Sequence, residues 1–194
     1  MQVIVCGPNR SGTSLIMRCL EKAEFKMAED LKPGDSANIY GYYESMRFKE
    51  LCQPRNLING RPDIEAFREL LAKEGKWAWK YPKVVFLLEA VFEAAENMFV
   101  IYMDRPRKDV VKSMIRHAKL SKARPYVEEA YEYLYIRALI AIDAYKHKKL
   151  KVSFLDLVKN EKRVMNEVLD FLGLEANYNY TAVDIGEVHF KEER

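Results

Sequence analysis

Residues 3–14 read VIVCGPNRSGTS. Val3, Ile4, Val5 and Cys6 form an apolar run without polar interruption, which suits a strand buried on both faces of a parallel sheet. Gly7 and Gly12 bracket the turn PNRS. Thr13 and Ser14 then open a segment with Leu15, Ile16, Cys19 and Leu20 at helical spacing. A strand that passes into a helix through a glycine-bounded turn aims the N–H groups of Ser11, Gly12, Thr13 and Ser14 at one place, where unpaired donors and the helix dipole favour an anion. Gly12 allows close backbone approach, and Arg10 supplies a fork-shaped positive charge. The plainer reading is an ordinary strand–turn–helix with a Ser or Thr cap.

Working outward, strands and helices alternate. After the first strand, Gln2–Cys6, and the helix Thr13–Ala23, residues Lys32–Tyr43 read as loop, and a helix covers Met46–Cys52. Gln53–Asp63, with two prolines and Asn-Gly, is the expected flexible stretch. Ile64–Lys73 reads as helix, Trp77–Lys80 as strand, Val84–Ala95 as helix and Met98–Met103 as strand. Helices over Lys108–Lys119 and Tyr126–His147 follow, then a strand at Leu150–Phe154 and a helix over Glu161–Leu172, with Gly173 as its C-cap. The alternation predicts an α/β fold: three layers, with a central parallel sheet flanked by helices, as one domain over residues 1–194. Ligands of such sheets sit at the carboxyl ends of the strands. Arg10, Lys80 to Lys83 and Arg105 each follow a strand and are expected to converge on one sheet edge.

Composition narrows the function classes. The 194 residues carry a net charge of +3, too little to argue for nucleic acid or an acidic membrane surface as partner. No apolar run approaches the ~20 residues that span a bilayer, and the N-terminus enters a strand directly, so neither membrane insertion nor a signal peptide is expected. Three cysteines without CxxC spacing argue against a disulfide framework or a zinc site and point to a reducing, cytoplasmic setting. Oligomeric state is not encoded in any of these features.

The turn has the spacing Gly7, four residues, Gly12, then Thr13-Ser14, which is that of the phosphate-binding P-loop. Nucleoside triphosphatases need a lysine where this chain has Thr13; the charge sits three residues earlier, at Arg10. That displacement argues for an anionic donor less charged than a metal-bound triphosphate. A second segment, FVIYMDRPRKDVVKSMIRHAKL at 99–120, places Arg105 at a strand end and Ser113 two helical turns along, where the two can hold one phosphate.

PNRSGTS and RPRKDVVKS together resemble the sulfotransferase superfamily, which uses 3′-phosphoadenosine 5′-phosphosulfate (PAPS). VSFLDLVKNEKRVMNEVLDFLGL at 152–174 is similar to that family's late strand and helix, and NIYGYYES at 38–45 to its GYFE segment; the four blocks stand in family order. The resemblance implies that Arg10, Ser11, Gly12, Thr13 and Ser14 bind the 5′-phosphosulfate, that Arg105 and Ser113 bind the 3′-phosphate, and that Lys80, in WKYPK, lies near the transferred group. The histidine base of many members is replaced by Pro82, and a common tyrosine by Phe154. Glu44 is the candidate general base, with a solvated helix-start glutamate as its plainer reading; of His117, His147 and His189, the first two are read as surface residues, with His117 able to approach the site.

The implied activity is sulfuryl transfer from PAPS, without a metal ion, to a hydroxyl or amine on a small molecule, glycan or peptide. Acceptor contacts are expected from the 32–43 and 53–63 loops. Two other readings stand beside it: a P-loop kinase using ATP and magnesium, with Asp104 as its best acidic strand end, and a non-catalytic descendant that binds a nucleotide or protein.

Overall fold

The computed structural model describes residues 1–34, 41–53, 61–95, 97–118 and 124–181. Four parallel strands, β1 (Gln2–Cys6), β2 (Trp77–Lys80), β3 (Met98–Asp104) and β4 (Lys149–Ser153), stand in the order β2-β1-β3-β4. Ile4 lies opposite Trp79 on one side and Val100 on the other, and Asp104 lies opposite Ser153. Every residue of β1 is buried, as its unbroken apolar run requires.

Alternate residues of the central strands feed opposite layers. Val3, Val5, Ile101 and Met103 pack with α1 (Thr13–Lys22), α7 (Phe154–Lys159) and α8 (Glu161–Phe171). Ile4, Cys6, Val100 and Tyr102 pack on the other face with α2 (Met46–Leu51), α3 (Ile64–Leu71), α4 (Leu88–Ala94) and α6 (Arg124–Ala144). The remaining helix, α5 (Arg107–Ala118), packs on α6 through Val110, Met114 and Tyr135. The result is the three-layer arrangement expected from the alternation.

Helix ends follow their local chemistry. Ser45 caps α2 by accepting from the Phe48 N–H, and Asp63 caps α3 by accepting from the Ala66 N–H. Beyond α8, Gly173 has φ 70°; its N–H bonds to the Asp170 carbonyl and that of Leu174 to the Leu169 carbonyl, the paired pattern of a glycine-terminated helix.

Several boundaries shift by one to three residues from the sequence expectation, and two of the differences have a clear local cause. Residues Pro82–Leu87 wind as a 3₁₀ helix before α4, rather than as the start of one α-helix from Val84. Pro82 has no N–H, Tyr81 is extended, and Val84 bonds three residues back to Tyr81, so the tighter turn forms first. Phe154 does not end β4 but opens α7, because the Ser153 hydroxyl accepts from the Asp156 N–H and caps the helix there. The Ser-x-x-Asp pattern at 153–156 carried that signal.

Trp79 is 1% exposed, stacks on Phe48 at 5.8 Å and donates its indole N–H to Gln2 at 2.8 Å. Trp79→Ala is expected to cost about 3–5 kcal/mol, read as a lower midpoint in urea denaturation, whereas Trp77→Ala, at the half-buried neighbour on β2, costs clearly less.

Candidate active site

The chain runs from β1 to β2 on one side and then to β3 on the other, so β1 is the point where the strand order reverses and a crevice opens at the carboxyl ends. The loop after β1 lies in that crevice. The Gly7 N–H reaches the Pro82 carbonyl at 3.4 Å, tying the ends of β1 and β2 together. Gly7 has φ 143°, and a Cβ there would stand 2.7 Å from the Met103 carbonyl oxygen. Gly12 has φ 99°, and its Cβ would stand 2.3 Å from Cδ2 of Phe154. Arg10 itself adopts φ 67°.

Gly12 is the N-cap of α1 and no side chain caps the helix. The ordinary Ser or Thr cap is therefore not what this sequence builds. The Leu15 and Ile16 N–H groups both bond to the Gly12 carbonyl, and the Thr13 and Ser14 N–H groups open the helix uncapped. The expected cradle needs one correction: the Ser11 N–H turns back to the Pro8 carbonyl at 3.1 Å and closes the loop on itself. The Ser11 hydroxyl is buried and, among the described residues, has no partner.

Arg10, Arg105 and Ser113 come together across the loop. The Arg10 side chain donates from Nε to the Ser113 hydroxyl at 3.2 Å, and Arg105 donates from Nη1 to the Arg10 carbonyl at 3.0 Å. The Arg105 guanidinium lies 4.3 Å above the Phe154 ring, and its buried Nε has no partner among the described residues. Burial pulls the Arg105 pKa below its ordinary value, with Asp109 opposing the shift and the Arg10 and Arg116 charges adding to it.

Lys80 ends β2 with 2% exposure. Its Nζ donates to the Tyr42 carbonyl at 2.8 Å, the Ser14 hydroxyl at 3.3 Å and Glu44 Oε1 at 3.0 Å. Burial lowers its pKa, the Glu44 carboxylate opposes that, and the Lys32 and Arg10 charges add to it. Glu44 is not a solvated helix-start residue: it is 8% exposed, with its second oxygen 3.9 Å from Lys49. The Ser14 hydroxyl bonds to the same Tyr42 carbonyl at 3.2 Å, so loop, β2 and the 42–44 segment meet at one junction.

Sequence reasoning did not find that junction, nor Tyr135, whose hydroxyl bridges Asp104 at 3.3 Å and the Arg105 carbonyl at 3.0 Å. Neither leaves a motif, because each joins residues 28 or more positions apart. His147 stacks on Phe92 at 3.4 Å and pairs with Glu89 just before β4, at the opposite end of the sheet. The His117 side chain, His189, Tyr40 and the 54–60 segment lie outside the described residues.

Residues 26–178 match the model of the sulfotransferase family. No curated protein matches the chain. Among solved structures, the chain is similar to the sulfotransferase domain of the Synechococcus PCC 7002 olefin synthase, with 18% identity and a TM-score of 0.61 over 100% of this chain and 82% of that one. It is also similar to sulfotransferase STF1 of Mycobacterium tuberculosis, with 14% identity and a TM-score of 0.61 over 89% and 67% of the two chains. A mouse sulfotransferase complexed with PAP gives 14% identity and a TM-score of 0.53 over 97% and 63%. At these identities the likeness is one of fold.

The contact between Gly12 and Phe154 makes a direct test of the loop. Gly12→Ala places a methyl group inside the Phe154 ring contact and strains a positive φ. It is expected to lower Tm, measured by thermal shift.

Proposed function

The chain belongs to the sulfotransferase family, and we propose that it transfers a sulfuryl group from PAPS to a hydroxyl or amine of a small acceptor. The observation that carries this reading is the uncapped α1 N-terminus behind Gly12, flanked by Arg105, which bonds to the Arg10 carbonyl, by Arg10, which bonds to Ser113, and by Lys80, which bonds to Ser14 in the first turn of α1. Three cations around free helix N–H groups form a site for a multiply charged anion.

In this reading the Gly12, Thr13 and Ser14 N–H groups hold the 5′-phosphate, and Ser11 helps through its unpartnered hydroxyl. Arg105 and Ser113 hold the 3′-phosphate. Arg10 leaves Ser113 and, with Lys80, stabilises charge developing on the bridging oxygen. The bond from sulfur to that oxygen breaks as the bond to the acceptor atom forms, the electron pair stays on the departing adenosine 3′,5′-bisphosphate, and the acceptor proton passes to Glu44 once its ion pair with Lys80 opens. The transferred group carries less charge than a phosphoryl group, so these side chains suffice in place of a divalent ion.

Glu44 accepts a hydrogen bond from Lys80, and its first task in this reading is to keep Lys80 protonated at the bridging oxygen; taking the acceptor proton requires that ion pair to open. In this reading the apolar end of the acceptor approaches a small, mainly apolar hollow bordering the same loop, with Pro8, Asn9, Pro82, Phe86, Met114 and Leu134 in its lining. Phe86 and Leu134 are 41% and 38% exposed at 82–87 and α6. Asn9 and Met114 adjoin Arg10 and Ser113 in sequence, so pocket and donor loop share a wall. Such a lining selects an apolar body carrying one reactive group over a sugar.

The first test is thermal shift. PAP without metal should stabilise the chain; stabilisation by ATP with magnesium alone would favour a kinase. Arg10→Ala should lower kcat/KM by about 10²–10³, and unchanged turnover would remove the mechanism.

The two roles of Glu44 separate in a pH profile. Glu44→Gln removes the interaction that opposes burial of the Lys80 charge, so Lys80 loses its proton at lower pH and the alkaline limb of kcat/KM moves downward. A general base would instead show a loss of about 10²–10⁴ at every pH.

A further inference from the structure

Phe154 stands where the sequence blocks leave no hydroxyl, and the geometry gives its ring two separate contacts. One face lies under the Arg105 guanidinium at 4.3 Å, and the ring edge fills the space where a Cβ of Gly12 would be. Phe154 is 5% exposed and is the first residue of α7, fixed by the Ser153 cap, so its backbone is held independently of both contacts. Arg105 is thereby constrained on its flat side by an aromatic ring and on one edge by the Arg10 carbonyl. Its Nε remains buried without a partner among the described residues, a donor whose desolvation a ligand oxygen can offset.

We infer that Phe154 is a positioning residue that sets the plane of the Arg105 guanidinium for a phosphate at the 3′ position of the nucleotide, while packing the Gly12 turn that receives the 5′ end. The inference rests on the donor reading given above and extends it to selectivity. Cation–π contact fixes the guanidinium plane without using any of its N–H groups, so the donors stay available to the anion. A hydrogen-bonding partner in its place would consume one of them. The same ring ties the two ends of the site together: a shift at Gly12 tilts the platform under Arg105. The discrimination between a nucleotide with a 3′-phosphate and one without it therefore depends on the ring face and not on the bulk alone.

The test compares binding of adenosine 3′,5′-bisphosphate and 5′-AMP by the wild-type chain, Phe154→Leu and Phe154→Tyr, using titration calorimetry with Tm recorded alongside. Phe154→Leu keeps apolar bulk against Gly12 and removes the ring face; the preference for the bisphosphate should fall about tenfold, with 5′-AMP affinity nearly unchanged. Phe154→Tyr keeps the face and should keep the preference. Should the Leu chain fail to fold, Phe154→Met serves as the second variant with the same expectation. A purely structural role would weaken both nucleotides together and lower Tm, which would overturn the inference. A Leu or Met variant that discriminates as well as the wild type overturns it alone. A wild-type chain that binds the two nucleotides equally overturns the donor reading and this inference with it.

Discussion

Space at two glycines governs the rest of the site. The loop after β1 is pressed between the end of β3 and the start of α7 so closely that a Cβ at Gly7 or Gly12 would meet the Met103 carbonyl or the Phe154 ring inside van der Waals contact. Both glycines also hold positive φ, a conformation that other residues adopt only at a cost. The consequence is a loop that cannot relax outward. Its inner side is closed by the bond from Ser11 to Pro8, and its outer side is left to whatever the α1 N-terminus attracts. Close packing here is the means by which backbone donors, which carry no sequence signal of their own, are brought to a fixed place.

The charges around the loop are held in a similar way. Lys80 is buried at a strand end, an arrangement that costs several kcal/mol unless the ion is paired and hydrogen-bonded. Glu44, the Tyr42 carbonyl and the Ser14 hydroxyl supply those partners. This junction also fastens the 42–44 segment to the sheet, although it is joined to α1 and β2 by little else than side chains. The ion pair thus has an architectural role besides its electrostatic one. Without the carboxylate, the lysine would shed its proton or draw the segment away from the strand.

Much of this was legible in the sequence, for identifiable reasons. The β1 and β2 boundaries follow directly from apolar runs ended by Gly7 and by Tyr81-Pro82, and β3 runs one residue further, to Asp104. The convergence of Arg10, Lys80 and Arg105 follows from parallel strands, since parallel strands put their exits on one edge. What was not legible depends on distance along the chain. The contact from Arg10 to Ser113 spans 103 positions, and nothing in either neighbourhood specifies it. Phe154 was assigned to a strand because its neighbours are β-formers, and the Ser153 cap overrode that preference. The 32–43 and 53–63 loops expected to contact an acceptor lie partly outside the described residues, and the apolar hollow beside the loop after β1 left no signal of its own, because residues 7–9, 82–86 and the α5 and α6 helices that build it have a spacing that reads simply as core.

The cations at the crevice set one further condition. Arg10 lowers the pKa of both Lys80 and Arg105, Lys32 adds to the effect on Lys80, and Arg116 to that on Arg105. Each positive group therefore makes its neighbours harder to keep charged, and Glu44 and Asp109 answer only part of that repulsion. Arg10 donates to the Ser113 hydroxyl and Arg105 to the Arg10 carbonyl. In the proposed reading, phosphate oxygens would take over these donors with a gain in charge-assisted hydrogen bonding. A polyanion would, in that reading, relieve this repulsion, so its binding would draw both on the contacts formed and on cations that no longer oppose one another. Positive charge distributed over three strand ends would, in the same reading, take the place of a lysine in the loop.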